Sequence, residues 1–168
     1  MSTAFLFLTQ FATLAYALVG GVFLAFSDFI MRSLALTGGH SGLEAMQVIN
    51  REVFRWIFMA LFLGMAVVSL IFVGFGAFAA SGPSGTLILL AGLVYLLGCF
   101  GVTVIFNVPM NEALAGMEMS TDTTRDYWLQ VYVPRWTFWN SVRTIACAFS
   151  AALLLFALDV FLRCRDAN

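Results

Sequence analysis

The chain has 168 residues, 62% of them apolar and only 10% charged, where a soluble domain runs at roughly 45–50% and about 25%. At about 20 helical residues per crossing of a bilayer core about 30 Å thick, it holds four or five membrane spans and no separate soluble catalytic domain. Eight arginines, no lysine, nine acidic residues and a net charge of −1 leave no basic surface to neutralise phosphates, which excludes nucleic acid as a partner.

From Ala4 to Phe26 Gln10 is the one strongly polar residue, and 23 residues suffice for a first crossing. The start MSTAFLFLTQ has no basic residue and no A-x-A-like site follows the long apolar run, so this segment is expected to stay in the mature protein. Gly38, Gly39 and Gly42 break the next connection, and His40 reads there as a solvated loop residue. In EAMQVINREVFRW, Glu44, Gln47, Arg51 and Arg55 recur at helical spacing, which predicts a short interfacial helix. Trp56 to Ala80 is uncharged for 25 residues and ends at SGPSG, where Gly82, Pro83 and Gly85 predict a tight turn. Thr86 to Phe106 gives a third span of 21 residues, continuing past Pro109 to about Met119. The Ser/Thr/Asp cluster in STDTTRDYW can cap a fourth helix, which crosses between about Trp136 and Leu162 and carries Arg143 and Asp159.

The expectation is therefore an all-α integral membrane four-helix bundle, up-down-up-down, with a short interfacial helix between spans one and two. It forms a single domain over 1–168, with spans at approximately 4–32, 53–80, 86–118 and 128–162. Small residues four apart, Ala17/Gly21, Ala60/Gly64 and Ala146/Ser150, are expected to let helices approach closely. The location is a cell membrane, multi-pass. Homo-oligomerisation and orientation stay open: five arginines in the connections of one end against two at the other would put that end in the cytoplasm, but arginines belonging to a site would not count.

The polar residues sort to that end, the one holding the first and third connections. Asp28, Arg32, Asn50, Arg51, Arg55, Asn107, Asn111, Glu112, Asn140 and Arg143 come from four separate parts of the chain, together with Trp56, Trp128, Trp136 and Trp139. Asn107 and Asn111, four apart, share a helical face. Between them Pro109 removes the donor for the carbonyl of Ile105, so a kink is expected. Trp136, Asn140 and Arg143 fall at i, i+4 and i+7, again one face. An ionised side chain inside a span costs on the order of 2.5–3.5 kcal/mol on insertion scales and is usually kept for function. Asp28 precedes Arg32 by four, the favourable order for a helical ion pair. Plainer readings stand beside these: a snorkelling Arg143, asparagines as interhelical glue, tryptophans as an aromatic belt, and a self-neutralising Asp28–Arg32 pair.

The segments FLAFSDFIMRSLA, AMQVINR, FNVPMNEAL and WTFWNSVRT, in this order, resemble the anthrone oxygenase-like family of small four-helix membrane proteins. The most specific part is Phe106, Asn107, Pro109 and Asn111 with Trp139, Asn140, Val142 and Arg143. Many relatives carry His directly after the Trp-Asn pair, where this chain has Ser141. The resemblance implies the fold, and an activity like that of fungal relatives that oxidise polyketide anthrones to anthraquinones with molecular oxygen.

Such a reaction needs an apolar aromatic slot, a base, and donors where enolate charge develops. Catalytic roles are expected for Arg143, Asn140 and Asn107 as oxyanion donors and for Asp28 as base, with Glu112 the alternative base. Asn111, Trp136, Trp139, Arg32, Asn50 and Arg51 are expected to bind the substrate. Cys99, Cys147 and Cys164 are odd in number, far apart and without a CxxC, and His40 is the one histidine, so no disulfide framework, metal or other cofactor is expected. The partners are a lipophilic small molecule and the bilayer. The competing reading is a non-catalytic protein that binds a quinone, lipid or similar lipophile. Haem binding and transport are less favoured, for want of ligands and of an internal repeat.

Overall fold

The computed structural model describes residues 2–38, 40–55, 57–80, 82–118 and 121–166, so Gly39, Trp56, Ser81 and Met119 lie outside the described residues. The described residues form five helices and no strand: α1 (Thr3–Leu36), α2 (Ser41–Glu52), α3 (Ile57–Ala79), α4 (Pro83–Ala115) and α5 (Asp122–Arg165). All but α2 are long and apolar enough to cross a membrane.

Local chemistry sets the helix starts, and two fall earlier than their expected spans. Gly82 sits at φ 89°, open to glycine without cost, and Pro83 takes the first helical position, where its missing N–H is no loss. Thr121 caps α5, its hydroxyl accepting from Thr124 N–H at 3.3 Å. Pro109 does not end α4. The turn before it, Thr103–Asn107, widens to π-helical pairing, with Val108 N–H reaching back to the Thr103 carbonyl, and the helix carries on to Ala115.

The long helices touch in sequence-distant pairs. Phe5, early in α1, stacks on Phe75, late in α3, with centroids 3.9 Å apart, while Phe23 further along α1 meets Phe58 at the start of α3. In the half of the bundle around Phe5, glycines set the spacing. A Cβ on Gly76 would fall 2.6 Å from the Gly85 carbonyl oxygen and one on Gly92 2.6 Å from that of Ser69, so α3 and α4 meet backbone to backbone. Gly20 similarly meets Cys147 of α5, and Gly98 meets Ala146. Of the expected small-residue pairs, Ala146/Ser150 does pack against α4, whereas Gly21 and Gly64 face open space. The reason is rotational: Gly21 and Gly64 lie on the outward faces of their helices.

Buried hydroxyls in this half are paired. Tyr16 and Ser69 hydrogen-bond at 2.7 Å, Tyr95 donates to the Phe62 carbonyl at 2.9 Å, and Ser150 donates to the Ala91 carbonyl at 3.0 Å. In the other half the side chains between α3 and its neighbours are phenylalanines, Phe23, Phe58 and Phe62. A second, smaller core closes that end: Met31, Leu43, Met46, Leu114, Trp128, Tyr132 and Trp136.

Helix α2 belongs to this second core. A Cβ on Gly42 would overlap the Leu34 carbonyl oxygen, so only glycine lets α2 come this close to the end of α1. Gln47 lies at the expected helical spacing but is turned inward, donating to the Leu114 carbonyl at 2.7 Å and so satisfying a carbonyl at the open end of α4. His40, just before α2, is half-buried, with Nε2 enclosed and unpartnered among the described residues.

Candidate functional site

Between the two cores lies a cavity of about 110 Å³, to which all five helices contribute. Its walls are mainly aromatic: Phe23 and Phe26 from α1, Phe58 and Phe62 from α3, Trp136 from α5. Polar groups enter at two places, Arg143 with Thr103 on one side and Asn50 with Asn111 on another. Val22 and Phe54, respectively 40% and 67% exposed, also line it, so its mouth lies between apolar side chains on the outer surface.

Arg143 is 5% exposed. Its Nη2 donates to Asn140 Oδ1 at 2.6 Å and its Nη1 to Thr103 Oγ1 at 3.2 Å. The guanidinium carbon stands 4.1 Å from the Phe23 ring centroid and 5.3 Å from that of Trp136, both within cation–π range. Its Nε is buried without a partner, and among the described residues no carboxylate pairs with the side chain. The snorkelling reading therefore fails: the cation is drawn inward and held by neutral groups.

Asn140 positions it. This residue is fully buried, and its Nδ2 donates at 2.6 Å both to the Phe23 carbonyl and to Ser27 Oγ, leaving Oδ1 to accept from Arg143. Ser141 Oγ lies 2.9 Å from the Thr137 carbonyl, to which it donates its one proton, and 3.0 Å from Ser27 Oγ. One amide thus ties α1 to α5 and aims the guanidinium. Asn140 does not line the cavity, so it stands behind Arg143 instead of beside it as a second donor.

The paired asparagines of α4 also divide. Asn107 is buried between α4 and α5, with Nδ2 donating to the Trp136 carbonyl at 3.3 Å and Oδ1 unpartnered, and it does not reach the cavity. Asn107 and Asn111 keep a common face, both meeting Trp136, the first at its carbonyl and the second at its indole N–H, but only the second reaches the cavity. Asn111 does line the cavity, and its Oδ1 accepts from both Tyr132 Oη at 2.8 Å and Trp136 Nε1 at 2.9 Å. Asn50 joins this group by donating to Tyr132 Oη at 3.3 Å.

Of the residues expected at the site, the structure gathers Arg143, Asn50, Asn111 and Trp136 around one cavity and sets Asn140 directly behind it. It does not bring the others there. Asp28 and Arg32 are exposed and form no ion pair, because the π-turn Phe26–Ile30 spaces residues four apart off a common face. Arg51 and Glu112 are exposed, and Trp139 stacks on Phe106 at 3.6 Å, away from the cavity. Trp128 and Trp136 are core residues, 4% and 5% exposed, which removes them from any aromatic belt. Sequence reading missed Thr103, Ser27, Tyr132 and the wall phenylalanines. Nothing separates those phenylalanines by pattern from the rest of an 18-phenylalanine chain, and Thr103 is joined to Asn107 by the π-turn, where four-residue spacing is no guide.

A family model described as anthrone oxygenase matches residues 51–153, well over half of the chain. The matched stretch contains Thr103, Asn111, Trp136, Asn140 and Arg143 and leaves out α1. No curated protein and no solved structure matches the chain.

Proposed function

Since the chain belongs to the anthrone oxygenase family, we propose that it is a membrane-embedded oxygenase that oxidises a flat, lipophilic phenolic or anthrone-like substrate with molecular oxygen, without a metal. The observation that carries this reading is Arg143, a buried guanidinium with only neutral partners, lining an otherwise apolar aromatic cavity. An uncompensated charge in such a place is costly and calls for an anion. The enolate of an anthrone is one: a flat apolar body with negative charge at one oxygen. The rings lie among Phe23, Phe58 and Trp136, the oxygen faces Arg143, and the part that exceeds the enclosed space extends toward Val22 and Phe54.

Among the described residues Arg143 is the one titratable side chain that lines the cavity. Among the described residues no carboxylate lines the cavity, so Asp28 and Glu112 are not retained as bases. The substrate ionises by its own acidity, and the fixed guanidinium lowers the cost of holding the anion in a dry site. The electron-rich enolate carbon then reduces oxygen. Overall, a ring CH2 and O2 become a ring C=O and one H2O.

The test is oxygen uptake by the purified, detergent-solubilised protein given a simple anthrone, with metal content measured on the same sample. Uptake that collapses in Arg143→Ala, with the variant still folded, supports the proposal. Tight binding of the anthrone without uptake transfers the cavity to a non-catalytic lipophile-binding protein.

A further inference from the structure

Directly beneath the cavity, the α4/α5 contact repeats itself one turn deeper. Thr103 and Arg143 meet across the two helices at the cavity floor. Four residues earlier on α4 and four later on α5, Cys99 and Cys147 meet in turn, with their Sγ atoms 3.4 Å apart. Both are fully buried, and Thr103 is further tied to this layer by its hydroxyl, which donates to the Cys99 carbonyl at 2.8 Å. The backbones are held close on both sides of the pair, since Gly98 lies against Ala146 and Gly20 against Cys147. A single buried cysteine is a small apolar filler, and the sequence separation of these two gave no reason to expect more. Two thiols facing each other from different helices are a different chemical object.

We propose that Cys99 and Cys147 form a reversible dithiol–disulfide site whose oxidant is a hydroperoxide reaching the cavity floor. The proposal stands on the sulfur geometry and does not require the oxygenase reading. The sulfurs do not line the cavity, but Thr103 and Arg143, which do, stand four residues from Cys99 and Cys147 along their helices, so the oxidant would have to pass between these two side chains. One thiol attacks the peroxide, its S–H proton leaves with the departing oxygen as water or alcohol, and a sulfenic acid forms. The partner sulfur, already in van der Waals contact, then displaces that hydroxyl as water and closes the S–S bond. In sum two thiols and ROOH give one disulfide, ROH and H2O, with two electrons passing from sulfur to the peroxide bond. Closure asks each sulfur for a modest inward shift, toward a bond of about 2.05 Å. The product staples α4 to α5 one turn below Arg143, and a thiol reductant reverses it.

Hydrogen peroxide is the probe. The full-length protein in detergent is treated with it, denatured, alkylated without reduction and mapped by mass spectrometry, with exposed Cys164 as internal control for the oxidant. The expected result is loss of both alkylatable thiols at 99 and 147 and the appearance of a joined peptide pair two hydrogen atoms lighter than the separate peptides. Reduction should restore it to two alkylatable cysteines. In Cys147→Ala the joined pair is absent. In that variant Cys99 either remains a thiol or stops at sulfenic acid, which a dimedone-type trap captures. Two outcomes overturn the proposal: Cys99 and Cys147 fully alkylatable after Cys164 has been oxidised, or irreversible sulfonic acids with no joined pair. Because the wild-type chain supplies the main readout, a variant that fails to fold does not remove the test.

Discussion

The two halves of the bundle solve the burial of polar groups in opposite ways. Around Tyr16, Ser69, Tyr95 and Ser150 every named hydroxyl is hydrogen-bonded, and glycines bring α3 and α4 into backbone contact. Around Arg143 the packing is aromatic and incomplete, and the buried atoms without a partner among the described residues, Asn107 Oδ1, Thr137 Oγ1, Arg143 Nε and His40 Nε2, all belong to this half. Each orphan costs on the order of 1–3 kcal/mol. A protein that satisfies its polar groups so fully in one half has the means to do so in the other, and the difference locates the half whose groups are left for something besides folding.

The largest expected effect follows from removing the cation that distinguishes the halves. Arg143→Ala should lower kcat/KM for an anthrone by about 10²–10³-fold, the range seen when a preorganised donor to a developing oxyanion is lost. Arg143→Lys should recover only part of it, because one ammonium cannot reach Asn140 and Thr103 and still face the ligand as a planar fork does. The same cation sets the pH dependence. A phenolic ligand held beside it should ionise about 1–3 pH units below its value in water, whereas in Arg143→Gln burial alone remains and should raise that midpoint above the free value. Absorbance of a bound hydroxyanthrone, titrated without oxygen, reads both signs, and a midpoint that does not move between the two proteins would detach Arg143 from the ligand.

Asn140→Ala comes next. It breaks the hydrogen bonds to the Phe23 carbonyl and Ser27 and frees the guanidinium to turn. Turnover should fall by at least about tenfold, less than on removing the charge itself, since a misaligned cation still attracts an anion. As a positioning residue it should depress kcat more than it raises KM, which a steady-state comparison with Arg143→Ala resolves.

The packed half answers to stability instead. Gly92→Val drives a side chain into the Ser69 carbonyl and should cost about 1–3 kcal/mol as overpacking, visible as a lower thermal midpoint in detergent. Gly64→Val, aimed into open space, should stay within about 0.5 kcal/mol of wild type. Equal losses at both positions would mean that the outward face of α3 is covered by a second molecule.

The contrast between the halves was half legible in the sequence. Span number, the Ser/Thr/Asp cluster that caps α5, and the gathering of Arg143, Asn140, Trp136 and Asn111 at one end follow from composition and from spacing on regular helices. The expected Asp28–Arg32 pair fails for a local reason: its four-residue spacing runs into the π-turn Phe26–Ile30, and a one-residue change of register rotates a side chain off its face. The Cys99–Cys147 contact was illegible for another reason: it depends on the relative rotation and height of two helices, which no periodicity within either helix contains.

The smallest effects are expected at the exposed carboxylates, and there a near-zero result is informative. Asp28→Asn and Glu112→Gln should leave turnover within about twofold of wild type, because both carboxylates are exposed and neither lines the cavity. A loss of 10²-fold or more in either would identify a general base that reaches the substrate only after the helices move, since that is the usual size of such a contribution. The pH profile would then separate the two mechanisms. A site that relies on the substrate's own acidity should show a kcat/KM midpoint that shifts from one anthrone to another in step with their acidities. A protein carboxylate would hold the midpoint fixed across the series.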